Sequence, residues 1–375
     1  MRILLDYRPA LRQRTGVGEY AHELARALAD GAPTGDQPSL ELVLFSSSWK
    51  DRLDSNRISG AHTIDRRVPN QALNFAWHRL GWPPIEWLAP GPFAVAHAFH
   101  PLLIPARRAA QVVTIADLDF LDHPERTARE IRRDYAALAG AHARRADHVI
   151  AISETTARET RERLAVPADR ITVCAPGAPE WARREHEPDN GCVLFLGTLD
   201  ARKNLGVLLD AYERLLAGAG KVPPLVLAGQ PTDDARSLVN RARQGALAGH
   251  VELPGYVDDA TRLGLYRRAL IFVMPSHNEG FGMPVLEAMT VGVPVVVAER
   301  GALVEVAPPD VGRTFDPGSA DQLAAILGQL LADQSARDRM REAGWRQASR
   351  FSWRASANRL RDAWQQAIAR KAARG

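Results

Sequence analysis

The sequence predicts an α/β protein with two doubly wound parallel sheets. Short apolar runs such as "RILLD" and "QVVTIAD" alternate with stretches such as "VGEYAHELARALAD", in which apolar residues recur at helical spacing. Runs that are apolar throughout are typical of strands in parallel sheets, which helices cover on both faces. The alternation restarts after the polar, proline-bearing stretch "APGAPEWARREHEPDNG", and a chain of 375 residues is long enough for two cores.

The apolar runs indicate the strands of each domain. Those of the first domain are "RILLD", "LELVLFSS", "AVAHAF", "QVVTIAD" and "HVIAIS". Those of the second are "CVLFLG", "LVLAG", "VELPG", "IFVMP" and "VPVVVA". Helical patterns lie between them, including "ERTAREIRRDYAALAGAHARRA", "LGVLLDAYERLLAG" and "DATRLGLYRRA".

The domain boundaries follow from this alternation of predicted strands and helices. We predict a first Rossmann-like domain over residues 1–174, a linker over 175–190 and a second Rossmann-like domain over 191–352. The last segment, 353–375, has a helical pattern and is expected to pack back on the first domain. The two domains are expected to face each other across a cleft, with ligands bound beyond the carboxyl ends of the strands.

Composition and charge exclude several classes of protein. A net charge of only +4, without a basic block, argues against a nucleic-acid partner. Two cysteines, Cys174 and Cys192, form no disulfide framework, which fits a reducing compartment. No signal peptide and no apolar run of about 18 residues stands out. The protein is therefore expected in the cytoplasm, where contact with the inner face of a membrane stays open.

A candidate phosphate site lies in "NEGFGMPVLEAM", which sets Glu279 and Glu287 on either side of a glycine turn and a proline. Pro284 suits the first position of a helix, and Met283 before it has no side-chain oxygen to cap that helix. The first amides, from Val285 to Glu287, are therefore predicted to be free for a phosphate. The alternative is an ordinary strand–turn–helix with two solvated glutamates.

Two further stretches could meet phosphates. Arg202 and Lys203 follow the strand in "FLGTLDARKNL" and precede a helix that begins near Asn204, and adjacent cations suit a diphosphate. Gly16 and Gly18 open a helix after the first strand, where a phosphate can approach the backbone closely. The third glycine of a dinucleotide fingerprint is missing there. Each stretch also fits a solvated loop.

Acidic residues cluster after "QVVTIAD", where Asp117, Asp119 and Asp122 precede His123. The spacing fits no calcium loop, and the histidine lacks a partner at the spacing of zinc ligands. A catalytic or acceptor-binding loop is therefore favoured over a metal site, and a solvated loop stays open. The sequence contains neither a nucleophile elbow nor a P-loop.

Taken together, these stretches resemble the retaining glycosyltransferases of family four, which have the GT-B architecture of two Rossmann-like domains. The resemblance runs nearly end to end and includes "TGVGEYAHEL", "ADHVIAISE", "RITVCAPGAP", "FLGTLDARKNL", "LVLAG", "VELPGYV", "PSHNEGFGMPVLEAMTVGVPVV" and "RFSW". The T-L-x-x-R-K-N variant looks most like mannosyltransferases that build bacterial surface polysaccharides.

The resemblance implies a role for each matching residue. Glu279 would hydrogen-bond the hydroxyls of the donor sugar, and Glu287 would bind the ribose of the nucleotide. Arg202 and Lys203 would neutralise the diphosphate leaving group, which Gly16 would approach from the first domain. The other implied donor-binding residues are Gly18, Thr198, Tyr256, Val257, Gly280, Phe281, Gly282, Met283, Pro284, Val285 and Leu286.

The implied reaction is retaining transfer of a sugar, with GDP-mannose as the preferred donor, to a glycan or lipid-linked acceptor. Preorganised amides and cations can stabilise the departing diphosphate, so neither a metal nor another cofactor is expected. The acceptor hydroxyl is expected to attack from the leaving-group face, with a phosphate oxygen taking its proton. The acceptor would meet the first domain, where His123 and Trp77 are the candidates.

The sequence departs from the family at one position. Many relatives carry His-Asp in the loop after the fourth strand of the first domain, and here the pair is Ala116-Asp117. Asp117 is expected to cover the role of the missing imidazole, as a fourth catalytic candidate beside Glu279, Arg202 and Lys203. A nucleotide-sugar epimerase with the same fold and a non-catalytic scaffold that binds nucleotide sugars remain alternatives.

Overall fold

The computed structural model of the chain describes residues 1–11, 16–31, 39–124, 129–218 and 220–374, with 129–133 described by backbone alone. The chain forms two compact units. The first unit comprises Met1–Gly177 and Ser352–Gly375, and the second comprises Ala178–Phe351. The stretch 175–190, expected as a linker, is thereby divided between the units at Gly177.

Each unit is built on one parallel sheet. The strands of the first unit are β1 (Arg2–Asp6), β2 (Glu41–Ser46), β3 (Ala61–Asp65), β4 (Val95–Ala98), β5 (Ala110–Ile115), β6 (His148–Ala151) and β7 (Ile171–Val173). Those of the second are β8 (Cys192–Leu196), β9 (Leu225–Ala228), β10 (Val251–Gly255), β11 (Ala269–Met274), β12 (Val295–Ala298) and β13 (Arg313–Phe315).

The strand orders are β3-β2-β1-β4-β5-β6-β7 and β10-β9-β8-β11-β12-β13, and neighbouring strands pair in parallel. The winding direction reverses between β1 and β4 in the first sheet and between β8 and β11 in the second. In doubly wound sheets, ligands bind outside the carboxyl ends of the strands at such a reversal. The fold class predicted from the sequence, α/β with two doubly wound parallel sheets, is confirmed.

Helices cover the sheets. In the first half of the chain they are α1 (Val17–Asp30), α2 (Asn70–Phe75), a π-helical turn (Ala76–Leu80), α3 (Ile85–Leu88), α4 (Asp119–Asp122), α5 (Arg129–Arg145) and α6 (Glu154–Leu164). In the second half they are α7 (Leu205–Ala217), α8 (Arg236–Arg241), α9 (Asp259–Arg268), α10 (Met283–Val291), α11 (Gly301–Val306), α12 (Ala320–Ala332), α13 (Gln334–Ala348) and α14 (Trp353–Arg374). Among the described residues, none of these helices is long and apolar enough to cross a membrane.

The C-terminal helix α14 packs on the first unit, against α1 and the strands β5 and β6. Trp364 is fully buried, with its ring edge-on to that of His97 at 6.0 Å between centroids. The guanidinium of Arg361 donates to the carbonyls of Leu28 and Gly31 at 3.0 Å each. These carbonyls belong to the last turn of α1 and the residue after it, where a helix leaves acceptors without an internal partner. Apolar packing and the capping hydrogen bonds from Arg361 thus hold α14 against α1.

Three strands that the sequence did not indicate lie at sheet edges: β3, β7 and β13. Their residues are mostly half-buried, whereas the central strand β1 is buried over four of its five residues. An edge strand pairs on one side only and needs no continuous apolar run. Part of the stretch predicted as the helix before β6, residues 125–128, lies outside the described residues.

Candidate functional site

The loops that follow β8 and β11 lie side by side, because these strands are neighbours where the second sheet reverses direction. The amide of His277 donates to the carbonyl of Arg202 at 2.9 Å. The side-chain amide of Asn204 donates to the carbonyls of Pro275 at 3.1 Å and Pro317 at 2.8 Å. Asn204 has φ +51° and is the N-cap of α7. Hydrogen bonds therefore fix the two loops relative to each other.

Glu279 is held by cations from the neighbouring loop. Its Oε1 accepts from the Lys203 ammonium at 2.6 Å and from the Ser276 hydroxyl at 2.7 Å, and its Oε2 lies 3.9 Å from the Arg202 guanidinium. Burial alone would raise the pKa of Glu279, but the charges of Lys203 and Arg202 and the two hydrogen bonds outweigh it and hold that pKa below its usual 4.5. With only 8% of its surface exposed, Glu279 is not a solvated loop residue.

Glu287 is the second buried carboxylate, also 8% exposed, and faces helix α9. Its Oε2 accepts from the Tyr266 hydroxyl at 2.8 Å, and its Oε1 lies 3.2 Å from the Arg262 guanidinium. Burial raises the pKa of Tyr266 well above 10, and the negative charge of Glu287 raises it further, so the phenol stays a neutral donor. The interpretation of the two glutamates as solvated is therefore wrong for both.

Helix α10 begins one residue earlier than the sequence indicated, at Met283, with Gly282 as its N-cap. The amides of Val285 and Leu286 donate to the carbonyl of Gly282 at 2.9 and 3.3 Å. The prediction that Pro284 starts the helix and leaves these amides free is therefore wrong. No side chain caps the helix, and the amide at its first residue, Met283, is one for which a helix supplies no carbonyl of its own.

The turn before α10 is buried and depends on glycine. Gly282 has φ +100°, a conformation that side chains disfavour, and a Cβ there would lie 2.8 Å from a methyl carbon of Leu303. Gly280 and Phe281 are buried, and the ring of Phe281 packs edge-on against Phe351 at 5.4 Å between centroids. The turn is therefore a packed structure.

The loops after β8, β9 and β10 carry three further predicted donor-binding residues, Thr198, Tyr256 and Val257, together with Gly229. Gly229, after β9, has φ +151°, and a Cβ there would lie 1.8 Å from the carbonyl oxygen of Gly197, so only glycine fits. Thr198 is half-buried beside Gly197. After β10, Tyr256 is 45% exposed and Val257 is half-buried. All lie beyond the carboxyl ends of strands of the second sheet, the edge that also presents Lys203 and Glu279.

The two glycines predicted in the first unit differ in role. Gly16 is the N-cap of α1, with φ +51° and no side-chain cap, and a Cβ there would meet no described residue within 4 Å. A Cβ on Gly18 would lie 2.5 Å from the carbonyl oxygen of Pro9. Gly18 is therefore required for packing α1 against the turn after β1, and the expectation that it contacts the donor gains no support.

Asp117 and His123 flank the short helix α4. Asp117 is half-buried, and its Oδ1 accepts from the amide of Asp119 at 3.1 Å. His123 is half-buried, and its amide donates to the carbonyl of Asp119 at 2.8 Å. The carbonyl of Ala116 accepts from the Thr156 hydroxyl at 3.1 Å. Among the side chains that the structure describes, no group of three or more His, Cys, Asp or Glu could hold a metal ion.

Trp77 does not lie where an acceptor could stack on it. Its side chain is 1% exposed, its indole N–H donates to the carbonyl of Pro83 at 3.0 Å, and the Arg8 guanidinium lies 5.1 Å from its ring centroid. The prediction that Trp77 binds the acceptor is therefore wrong. Two tryptophans that follow it in the sequence, Trp82 and Trp87, are 54% and 58% exposed.

Sequence reasoning missed the side chains that hold the two glutamates, namely Ser276, Arg262 and Tyr266. Ser276 stands three residues before Glu279, within the motif that was singled out. Arg262 and Tyr266 are four residues apart on α9, which places them on one face of that helix. Their spacing was visible in the sequence, but the residue that they face was not.

Two doubly wound sheets, with buried carboxylates and cations at the reversal of the second, are the fold and site expected of a GT-B glycosyltransferase. Two family models match successive parts of the chain, "Glycosyltransferase Family 4" over residues 14–180 and "Glycosyl transferases group 1" over 179–347. The chain belongs to glycosyltransferase family four and is an enzyme of the transferase class.

Two relatives that match along most of the chain are mannosyltransferases. The O-antigen chain mannosyltransferase B of Escherichia coli is 29% identical over 94% of this chain and 96% of its own length. The phosphatidyl-myo-inositol mannosyltransferase of Mycolicibacterium smegmatis is 29% identical over 90% of this chain and 86% of its own. The chain thus resembles the mannosyltransferase branch of the family.

Solved structures share the fold. The sucrose-phosphate synthase of Thermosynechococcus elongatus superposes with a TM-score of 0.78 at 20% identity, covering 98% of this chain and 99% of that one. WaaG, a glycosyltransferase involved in lipopolysaccharide biosynthesis, superposes with a TM-score of 0.69 at 16% identity, covering 96% of this chain and 99% of that one. At these identities the likeness concerns the fold alone.

Proposed function

We propose that the protein transfers mannose from GDP-mannose to a glycan or lipid-linked acceptor, with retention of the anomeric configuration. The observation that carries this proposal is the Lys203–Glu279 pair beside Arg202, which sets two cations and a carboxylate at the ligand-binding edge of the second sheet. The mannosyltransferase relatives support the choice of sugar.

The charges at this edge fit the chemistry of glycosyl transfer. As the bond between the anomeric carbon and the diphosphate oxygen breaks, positive charge grows on the sugar and negative charge on the diphosphate. Arg202, Lys203 and the amide of Met283 would stabilise the departing diphosphate, while Glu279 would orient Lys203 and accept hydrogen bonds from sugar hydroxyls. The acceptor oxygen would bond to the anomeric carbon from the leaving-group face, and a phosphate oxygen would take its proton.

On this route the protein supplies charge and position, and neither an enzyme nucleophile nor a metal is required. Two fixed cations provide the positive charge that a metal would otherwise bring to the diphosphate. Glu287 would bind the ribose hydroxyls, and Asp117 would take over at the reacting sugar where Ala116 lacks an imidazole. We therefore propose a metal-independent transferase without another cofactor.

Binding of guanine nucleotide gives the first test. GDP and GDP-mannose are expected to raise the midpoint of thermal unfolding (Tm), because a ligand that binds only the folded state stabilises it by about 2.7 kcal/mol at 100 times its Kd. UDP and UDP-glucose are expected to leave Tm nearly unchanged. Release of GDP from GDP-mannose should persist in EDTA. A Tm shift with UDP equal to that with GDP would overturn the donor assignment, and loss of turnover in EDTA would overturn metal independence.

We also propose that the first unit touches the inner face of a membrane. Trp82 and Trp87 are exposed and lie edge to face at 5.7 Å, and the Arg107 guanidinium stacks on Trp87 at 5.4 Å. Arg66, whose side chain donates to the carbonyl of Leu88 at 2.6 Å, and Arg108 are exposed nearby. Tryptophan favours the membrane interface, and each arginine near an anionic surface adds about 1 kcal/mol. The two free, buried cysteines suit a reducing compartment.

Vesicle flotation tests this contact. Vesicles that contain phosphatidylserine are expected to carry the protein upward, and pure phosphatidylcholine vesicles to carry much less. The double variant Trp82→Ala/Trp87→Ala should lower the vesicle-bound fraction severalfold at unchanged Tm. Trp345→Ala is the matched control, because Trp345 is 42% exposed and stacked by Arg183 at 5.4 Å, yet belongs to the second unit. Equal losses in both variants would contradict the assignment of this surface.

A further inference from the structure

The first unit contains a cavity of about 700 Å³ at the reversal of its own sheet. Its lining comes from the loops that follow β1, β2 and β4, together with α2, the π-helical turn and α5. Asp6 is the last residue of β1, Arg8 lies in the loop that follows it, and His100 lies in the loop after β4. Because β1 and β4 are the neighbours between which the winding reverses, the cavity occupies the position where doubly wound sheets bind ligands.

Asp6 and Arg8, which line the cavity, form an ion pair with each other. Asp6 is fully buried, and the Arg8 guanidinium donates two hydrogen bonds to its carboxylate, from Nε to Oδ1 at 2.8 Å and from Nη2 to Oδ2 at 2.6 Å. His100 approaches the same carboxylate at 3.2 Å, and Arg8 also donates to the side-chain oxygen of Asn74 at 2.8 Å. Burial would raise the pKa of Asp6, but Arg8 holds it well below its usual value. The positive charge of Arg8 is therefore already matched.

His78 points to a ligand in this cavity. It is 8% exposed and lines the cavity, yet neither ring nitrogen has a hydrogen-bond partner among the described residues. Oδ2 of Asp134 lies 3.7 Å from Nδ1, beyond hydrogen-bond distance. Leaving a buried polar group without a partner destabilises the folded protein, and a ligand that supplies the partner removes this cost. His78 also sits in the π-helical turn Ala76–Leu80, a distortion that occurs frequently at functional sites.

The imidazole of His78 is neutral. Burial lowers its pKa to about 3, helped by the nearby His100 and Arg8 and opposed by Asp134. A neutral imidazole offers one N–H donor and one nitrogen acceptor. A sugar hydroxyl, which both donates and accepts, can satisfy either nitrogen.

The remaining wall combines side-chain amides with charges of both signs. The amides of Asn70, Gln71 and Asn74 line it together with Lys50 and Asp51, and Trp49, 62% exposed, also belongs to the lining. Amide and imidazole groups beside an aromatic face suit an uncharged polyhydroxyl ring. We propose that this cavity binds the terminal sugar of the acceptor, an uncharged hexose, and that His78 recognises one of its hydroxyls. This inference rests on the glycosyl transfer proposed above and specifies the class of acceptor.

Binding of free sugar tests the cavity without any donor. Saturation-transfer NMR on the full chain is expected to detect methyl α-mannoside, and inorganic phosphate is expected not to displace it. His78→Ala should weaken binding about five- to tenfold, the range expected for one or two neutral hydrogen bonds. His78→Gln keeps a donor and an acceptor and should recover part of the loss. Displacement by phosphate, or equal binding in the wild type and His78→Ala, would overturn the proposal.

Steady-state kinetics separate this inference from the donor assignment. His78→Ala is expected to raise the KM for the acceptor about five- to tenfold and to retain the Tm shift produced by GDP. His97→Gln is the control, because His97 is buried in the same sheet outside the cavity lining, with its Nε2 bonded to the Thr114 hydroxyl at 2.8 Å. An unchanged acceptor KM in His78→Ala would overturn the role of His78. Loss of the GDP shift in the wild type would overturn only the donor.

Discussion

Replacing Lys203 with alanine is expected to lower kcat/KM for the donor by about 10²–10³-fold, the effect of removing one preorganised group that stabilises developing negative charge. The ammonium lies 2.6 Å from Glu279 at the ligand-binding edge of the second sheet, where the diphosphate would depart. Initial rates of GDP release from GDP-mannose, with and without acceptor, provide the measurement. Activity within about threefold of the wild type would remove Lys203 from the mechanism.

The same substitution leaves a buried carboxylate without its closest cation, so stability must be measured alongside activity. Losing one partner of a buried ion pair costs about 3–5 kcal/mol, although Arg202 and Ser276 remain near Glu279 here. The double variant Lys203→Met/Glu279→Gln removes both charges and is expected to recover most of the lost Tm. It should not recover turnover. Recovery of turnover with Tm would mean that Lys203 acts only through stability.

The stability effect should depend on pH. The pKa of Glu279 lies below 4.5 in the folded protein, so the ion pair stabilises the fold fully above the unfolded pKa and loses this contribution as pH falls through the folded one. Without Lys203 the folded pKa of Glu279 is expected to rise. The gap in unfolding free energy between the wild type and Lys203→Ala should therefore narrow from pH 7 toward about pH 4. If the difference in unfolding free energy between the two proteins stays constant over this pH range, the ion pair with Glu279 is not the cause of that difference.

Replacing Glu287 with alanine is expected to raise the KM for the donor by about 10–100-fold, the range for hydrogen bonds to a charged group. Both carboxylate oxygens are positioned from α9, one by Tyr266 and the other by Arg262. Titration of GDP into the variant by calorimetry measures the loss directly. An unchanged Kd for GDP would contradict ribose binding by Glu287.

Tyr266→Phe tests whether the position of Glu287 matters. It removes only the hydroxyl, which donates to Oε2 of Glu287 at 2.8 Å and to the carbonyl of Pro284 at 3.2 Å, so the donor KM should rise by about two- to tenfold. Tyr212→Phe is the matched control in the same unit, since its buried phenol donates to the carbonyl of Pro223 at 2.8 Å, remote from Glu287 in sequence. Similar donor KM values in the two variants would show that the hydrogen bond from Tyr266 does not position the carboxylate for binding.

The sequence by itself determined the fold class and the central elements of both units. Strands that are buried on both faces must be apolar throughout, so their apolar runs are easy to recognise in the sequence. The glycine before α1 and the apolar stripe along it indicated that Val17–Asp30 forms one helix. The edge strands β3, β7 and β13 escaped notice because a strand paired on one side tolerates polar residues. The hydrophobic pattern of a segment thus predicts which of its own residues are buried.

Tertiary structure alone decided which residues meet. Lys203 and Glu279 are 76 positions apart, and only the adjacency of β8 and β11 brings them within 2.6 Å. Likewise, the neighbouring positions of β1 and β4 set His100 beside Asp6, and burial turned Trp77 from a surface candidate into core. Hydrophobic periodicity indicates which face of a single segment is buried. A site, in contrast, depends on the order of the strands in the sheet, and that order is decided by packing between segments that are distant in sequence.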